Sequence, residues 1–155
     1  MRVVIICAIL AFSLDQLSKW WVVHVLDLKN RIAIDVLPPL LNFRMGWNTG
    51  INFGLLSDSP EIMRWILIAL AVGVSIWLLI WGSQMQNFWA KFAAGHLIGG
   101  ALANALDRVL YGAVADFLNM SCCGIQNPFT FNVADIFIFA GAIGLVVFAD
   151  REKGA

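Results

Sequence analysis

The sequence predicts a mainly α-helical, polytopic membrane protein, with four transmembrane helices and a small β element between the first and the second. Three observations carry that expectation. Apolar residues make up 61% of the 155-residue chain and charged residues only 13%, a balance far from that of a water-soluble domain. Four stretches are long enough to cross the hydrocarbon core of a bilayer, which takes about 20 helical residues. Between the first two of them, one segment alternates apolar and polar residues with the period of a strand.

The first span covers residues 3–26. Met1-Arg2 and the apolar run behind it imitate a secretory signal, but Asp15 and Lys19 interrupt the run and no small-x-small cleavage motif precedes a soluble body. Val4-Ile5-Ile6 lacks the small residues of a lipidation site before Cys7, so the chain is not read as a lipoprotein. An insert over residues 27–61 follows. Pro38-Pro39 breaks any helix there, Leu41-Asn42-Phe43-Arg44-Met45 alternates, Gly46-Trp47-Asn48-Thr49-Gly50 supplies turn residues, and Ile51-Asn52-Phe53-Gly54-Leu55 forms a second arm. That pattern predicts a β-hairpin-like, half-apolar platform on the membrane surface. The second span, 62–82, is almost uniformly apolar and is assigned packing, not chemistry. The third and fourth spans cover 92–111 and 131–149. Most of the seven tryptophans fall towards span ends, as interfacial anchors do. No repeat or low-complexity tract divides the chain, so residues 1–155 are read as one integral-membrane domain.

Charge narrows the partners and leaves orientation open. Ten basic and ten acidic residues give a net charge of zero, and the scattered cations offer no patch for a phosphate backbone, which excludes nucleic acid. An even number of spans puts both termini on one side. Arg2, Lys91, Arg151 and Lys153 on that side balance Lys29, Arg31, Arg44 and Arg64 on the other, so the positive-inside rule gives a tie. Cys7, Cys122 and Cys123 have no metal-ligand spacing, and their odd number describes no disulfide framework. The adjacent pair is expected as free thiols in a loop.

Charged groups inside a span cost several kcal/mol unless paired or hydrated, so each one is a functional candidate. Asp15 and Lys19, four apart with the acid first, suit either a self-neutralised structural pair or a site role. His96, Gly100, Asn104 and Arg108 recur every four residues along one stripe of the third span. Gly95 and Gly99 have the small-xxx-small spacing of close helix approach, and His96 is read with them as packing. His24 is read as interfacial. Asn104, Asp107 and Arg108 together suggest a hydrogen-bonding scaffold at the end of that span.

The third span ends near Asp116 and the fourth opens at Asp135, so both acids lie at one membrane face. Two carboxyls among apolar neighbours at one depth can share a proton, one acting as base and the other as acid. Asn132, three residues before Asp135, shares its helical face and can orient a carboxylate. On spacing alone, the alternative is that Asp135 caps the fourth span and Asp116 hydrates a loop.

Five blocks in order now matter together: Asp15-Gln16-Leu17-Ser18-Lys19, Asn48-Thr49-Gly50-Ile51-Asn52-Phe53-Gly54, Gly99-Gly100 through Asn104-Ala105-Leu106-Asp107-Arg108, Gly112-Ala113-Val114-Ala115-Asp116-Phe117, and Phe131-Asn132-Val133-Ala134-Asp135. With them the chain resembles the lipoprotein signal peptidases (signal peptidase II), bacterial membrane aspartic proteases, across nearly its whole length. The resemblance implies an endopeptidase that cuts prolipoproteins N-terminal to a diacylglyceryl-modified cysteine, with Asp116 and Asp135 as catalytic acids. It places Asn48, Gly50, Gly100, Asn104, Arg108 and Asn132 in the supporting site, with Asp15 and Lys19 beside it. It further implies no metal or cofactor, lipid and prolipoprotein as partners, a monomer, and a multi-pass protein of the bacterial inner membrane. The termini are then cytoplasmic, and the β element and active site extracytoplasmic. The chain departs from the family at Ile51-Asn52, where small residues are commoner, at Asn119, where an acid is common, and in the loop 121–127, which lacks aromatic residues. Two other readings remain: a small transporter or proton conductor using the intramembrane acids, and a non-catalytic scaffold.

Overall fold

The computed structural model describes residues 1–50 and 60–149. Ile51-Asn52-Phe53-Gly54-Leu55, expected as the second arm of a hairpin, and Arg151 and Lys153 of the charge comparison lie outside the described residues. Long helices form the bulk of the molecule: α1 (Arg2–Lys19), continued by a π-helical stretch over Trp20–Val25, then α3 (Pro60–Gln84), α4 (Phe88–Tyr111) and α5 (Val133–Phe148). The short α2 (Leu28–Arg31) and strands β1 (Ala33–Leu37), β2 (Leu41–Asn48) and β3 (Val114–Asn119) complete the described elements. Each expected span overlies a helix to within about one turn. Two helical runs, Arg2–Val25 and Glu61–Gln84, are long and apolar enough to cross a membrane, and Val133–Phe148 is apolar but shorter.

Helix α4 is the hub, packed against α1, α3 and α5. Small residues let it approach its neighbours closely. A Cβ at Gly95 would lie 2.6 Å from the Cβ of Cys7 on α1, and one at Gly100 would lie 2.6 Å from the Ala134 carbonyl on α5. These contacts confirm Gly95 as a packing residue and show that α4 lies close against the start of α5 at Gly100. Val4, Leu78, Ile98 and Leu145 bring all four long helices into one buried cluster. The outward faces stay apolar, with Ile9, Leu70, Trp77, Phe139 and Val146 all exposed.

The sheet corrects the expected hairpin. Its order is β1-β2-β3, antiparallel throughout. The chain turns at residues 38–40, where the two prolines end β1, and the hairpin partner of β2 is therefore the strand before it. Gly46-Trp47-Asn48 does not turn. These residues stay extended because Gly46 pairs with Asp116, Trp47 with Ala115 and Asn48 with Val114, and cross-strand pairing outweighs local turn propensity. The bend comes later, at Gly50, whose φ of +97° favours glycine. A second apolar cluster, Val22, Leu28, Phe43 and Phe117, fastens the sheet to the π-helical stretch and α2.

The cysteine expectation is also corrected. Cys122 and Cys123 form a disulfide, and Cys7 is the free thiol, buried in α1. The pair sits in a turn closed by Ile125 N–H donating to the Cys122 carbonyl at 2.9 Å. Cys123 adopts φ 60° there, so the two side chains do not diverge as neighbours in a strand would.

Candidate active site

Helix α4 ends at Gly112, whose N–H returns to the Arg108 carbonyl at 3.1 Å and whose left-handed backbone (φ 79°) lets the chain leave the helix as β3. The strand carries Asp116 back beside Asn48 of β2. Helix α5 starts with a capping box: Asn132 Oδ1 accepts from Asp135 N–H at 2.9 Å, and Asp135 Oδ2 accepts from Asn132 N–H at 3.1 Å. Asp135 therefore caps its helix, as spacing alone allowed. Asp116 does not hydrate a loop; it is 3% exposed within a strand.

The two aspartates are joined by one residue. Asn132 Nδ2 donates to Asp116 Oδ1 at 2.6 Å while its backbone N–H holds Asp135 Oδ2. Asn48 Nδ2 donates to Asp116 Oδ2 at 3.0 Å, and Asn104 Nδ2 donates to Asp135 Oδ1 at 2.9 Å. Each carboxylate thus receives a hydrogen bond on each oxygen. Burial, reinforced by the neighbouring charge of Asp135, pushes the Asp116 carboxyl up from 3.8 to about 6, while the bonds from Asn48 and Asn132 and the charge of Lys19 hold it down.

A buried polar network lies behind the pair. Lys19 Nζ meets Asp15 Oδ2 at 2.7 Å, Asp107 Oδ2 at 2.8 Å and Asn104 Oδ1 at 3.0 Å. Asp15 Oδ1 accepts from Ala134 N–H at 2.7 Å, and Asp107 accepts from Gln16 Nε2 at 2.9 Å and from Ala115 N–H at 3.2 Å. The i,i+4 pair expected in the first span exists, yet it is one edge of a network reaching α4, α5 and β3. Gln16 carried no role in the sequence, and nothing local in the pattern assigns one. Its partner stands 91 residues away.

The stripe on α4 faces α5. Gly100 abuts Ala134 and Asn104 bonds Asp135, whereas His96 packs its ring at a tilt against Phe92 and Phe137. Arg108 is half-buried. Its Nη1 donates to the Asn104 carbonyl at 3.3 Å, and its Nε has no hydrogen-bond partner among the described residues. Gly50 N–H donates to Asn48 Oδ1 at 2.8 Å, which sets the Asn48 amide. Exposed His24 lines a cavity of about 460 Å³ whose lining also includes Gln16, Lys19 and Asp107. On the other side, Asp135 stands at the end of an apolar groove of about 820 Å³ along α5, lined by Ile136, Phe139 and Ile143. Among the described residues no group of three or more His, Cys, Asp or Glu side chains is placed to hold a metal ion. The arrangement offers two neighbouring carboxyls, bridged by Asn132, that can give and take protons beside an apolar groove.

Comparison with known proteins extends the picture. A family model described as signal peptidase (SPase) II matches residues 7–149. A lipoprotein signal peptidase of Nitrobacter hamburgensis is 37% identical over 145 residues, 92% of this chain and 88% of the relative. One from Nostoc punctiforme is 37% identical over 142 residues, 92% of this chain and 85% of that protein. A solved structure described as a bacterial membrane enzyme, obtained by the in meso method at 1.9 Å resolution, superposes with a TM-score of 0.79 at 26% identity, covering 95% of this chain and 92% of that one.

Proposed function

The chain belongs to the signal peptidase II family, and on that footing we propose that it is a membrane aspartic endopeptidase that removes signal peptides from diacylglyceryl-modified prolipoproteins, cleaving N-terminal to the lipidated cysteine. The observation that carries this reading is Asn132, which touches Asp116 and Asp135 at once and so holds two carboxyls as one unit. Asp135, ionised, takes a proton from water as the water attacks the scissile carbonyl. Asp116, protonated, donates a hydrogen bond to that carbonyl and then passes its proton to the leaving amine. The raised position of Asp116 supports its role as the acid. Arg108, with a buried Nε left over, is suited to hold a substrate or carboxylate oxygen.

The finer topology is part of the same proposal. Helices α1, α3, α4 and α5 each cross the inner membrane, both termini are cytoplasmic, and the sheet lies on the extracytoplasmic side as a monomer's peptide-gripping platform. Helix α4 turns Asp107 inward to α1 and β3 and the Asn104 amide to α5, which supports burying it in a bundle despite its polar residues. The apolar groove ending at Asp135 suits the acyl chains of a lipidated cysteine. A proton relay has no comparable support, because Asp15, Asp107, Asp116 and Asp135 gather in one network near one end of the bundle and do not trace a path along it.

The test uses a prolipoprotein with and without its diacylglyceryl group, incubated with the purified chain in detergent, followed by mass spectrometry of the products. Cleavage of the modified form alone, immediately before the lipidated cysteine, is expected. Equal cleavage of both forms, or cleavage elsewhere, contradicts the proposal.

A further inference from the structure

Each amide that touches the two carboxylates is held in one orientation by a group that can only donate. Gly50 N–H fixes Asn48 Oδ1 and Asp135 N–H fixes Asn132 Oδ1, so both side chains turn Nδ2 towards Asp116. For Asn104 the fixing donor is not backbone. It is the ammonium of Lys19, 3.0 Å from Asn104 Oδ1, a group with three donors and no acceptor. Its other contacts go to Asp15 at 2.7 Å and Asp107 at 2.8 Å. A reversed Asn104 would set its NH₂ against the ammonium and its oxygen against an Asp135 oxygen, leaving two buried donors and two buried acceptors mismatched. Asn104 Nδ2 is therefore committed to Asp135 Oδ1, and the other Asp135 oxygen takes the Asn132 backbone N–H.

We propose that Lys19 is a positioning residue for peptide cleavage: through the Asn104 amide, whose orientation it fixes, it holds the Asp135 carboxylate in its working position beside Asp116. The inference rests on the endopeptidase reading above. The counter-ions of Lys19 set its place relative to both aspartates. Asp15 binds Ala134 N–H at 2.7 Å, one residue before Asp135, and Asp107 binds Ala115 N–H at 3.2 Å, one residue before Asp116. The ammonium is thus located by the same two segments that bear the aspartates, α5 and β3.

Lys19→Met alone strands two buried carboxylates and endangers folding. The variant to make is Lys19→Met with Asp107→Asn, which leaves the net charge of the Asp15, Lys19 and Asp107 group unchanged; Asp107→Asn alone is its control. Steady-state cleavage of a diacylglyceryl-modified prolipoprotein by the full chain in detergent is the assay. Relative to the control, kcat falls by about 10- to 100-fold while KM stays within about twofold. Adding Asn104→Leu lowers kcat by no more than about a further twofold, since Lys19 acts through that amide. Lys19→Arg, still an obligate donor, keeps kcat within about threefold of wild type.

Undiminished kcat in the folded double variant, a loss carried by KM, or a full multiplicative loss on adding Asn104→Leu overturns the positioning role. If the double variant does not melt cooperatively, the remaining pair decides. Asn104→Leu must then lose kcat at constant KM and Lys19→Arg must keep it, and the reverse in either overturns the proposal. A wild type that does not cleave would instead remove the endopeptidase reading beneath it.

Discussion

Replacing Asp116 with asparagine is expected to abolish cleavage and, at the same time, to change the sign of its effect on stability with pH. Asp116 is 3% exposed, and its carboxyl is pushed from 3.8 to about 6, by burial first and the Asp135 charge second. A native carboxyl raised in this way keeps a proton that the unfolded chain has already released. Stability therefore falls as pH rises from roughly 3.8 to about 6 and is flat above that window, by a total on the order of 3 kcal/mol. The amide that replaces the carboxyl cannot ionise, so that fall disappears in the variant. The same amide can accept from only one of its two donor neighbours, Asn48 Nδ2 and Asn132 Nδ2, and its own NH₂ faces the other, at a cost of about 1–2 kcal/mol. The variant is then about 1–2 kcal/mol more stable than wild type at pH 8 and less stable by up to about 1 kcal/mol at pH 4.5. Tryptophan-fluorescence melting in detergent across that range measures both curves. Parallel curves, with no crossing, would refute the reasoning, because they would mean that Asp116 titrates alike in the folded and unfolded chain.

Three further outcomes follow from the same geometry. Asn48→Ala removes a donor that holds the Asp116 carboxyl down, so the alkaline limb of the kcat/KM profile moves to higher pH; a limb that stays in place contradicts the assignment of Asp116 as the acid. Asn132→Ala loses the helix cap, worth about 1 kcal/mol, and the bond to Asp116, worth about 1.5–3 kcal/mol. Asn132→Ser restores the cap but not the bond to Asp116, so its melting temperature recovers only by the cap's share while its kcat does not recover. Gly100→Ala places a Cβ 2.6 Å from the Ala134 carbonyl and displaces the start of α5, costing about 1–3 kcal/mol and lowering kcat. Gly73→Ala, with nothing within 4 Å of its Cβ, costs no stability and leaves kcat unchanged.

The long helices and the paired aspartates were legible in the sequence because their signals are local and strong. Twenty apolar residues have few alternatives in a bilayer, and an acid among them demands an explanation. The sheet was less legible. Val114–Asn119 follows directly from the end of α4 and is too short to show a period, so Asp116 could be placed near Asp135 without its strand. Gly46-Trp47-Asn48 carries turn-forming residues, and only pairing with a strand some 70 residues later keeps it extended. The same distance hid the links from Lys19 to Asn104, Gln16 to Asp107 and Asp15 to Ala134, since side chains on different helices have no spacing rule to betray their contact. The Asp15–Lys19 pair, which spacing leaves as either structural or functional, is the point where α1 grips α5 directly and β3 through Asp107. Gly100 is grouped with the site by resemblance, and its contact explains why: it lets α4 lie against the first turn of α5.

Cleavage of a diacylglyceryl-modified prolipoprotein by folded Asp116→Asn and Asp135→Asn variants, assayed by gel shift beside wild type, tests the dyad most directly. Two carboxyls working as one acid–base unit predict that each variant alone loses product formation by several orders of magnitude while still melting as a folded protein. Undiminished cleavage by either variant would remove that aspartate from the chemistry and with it the shared-proton mechanism.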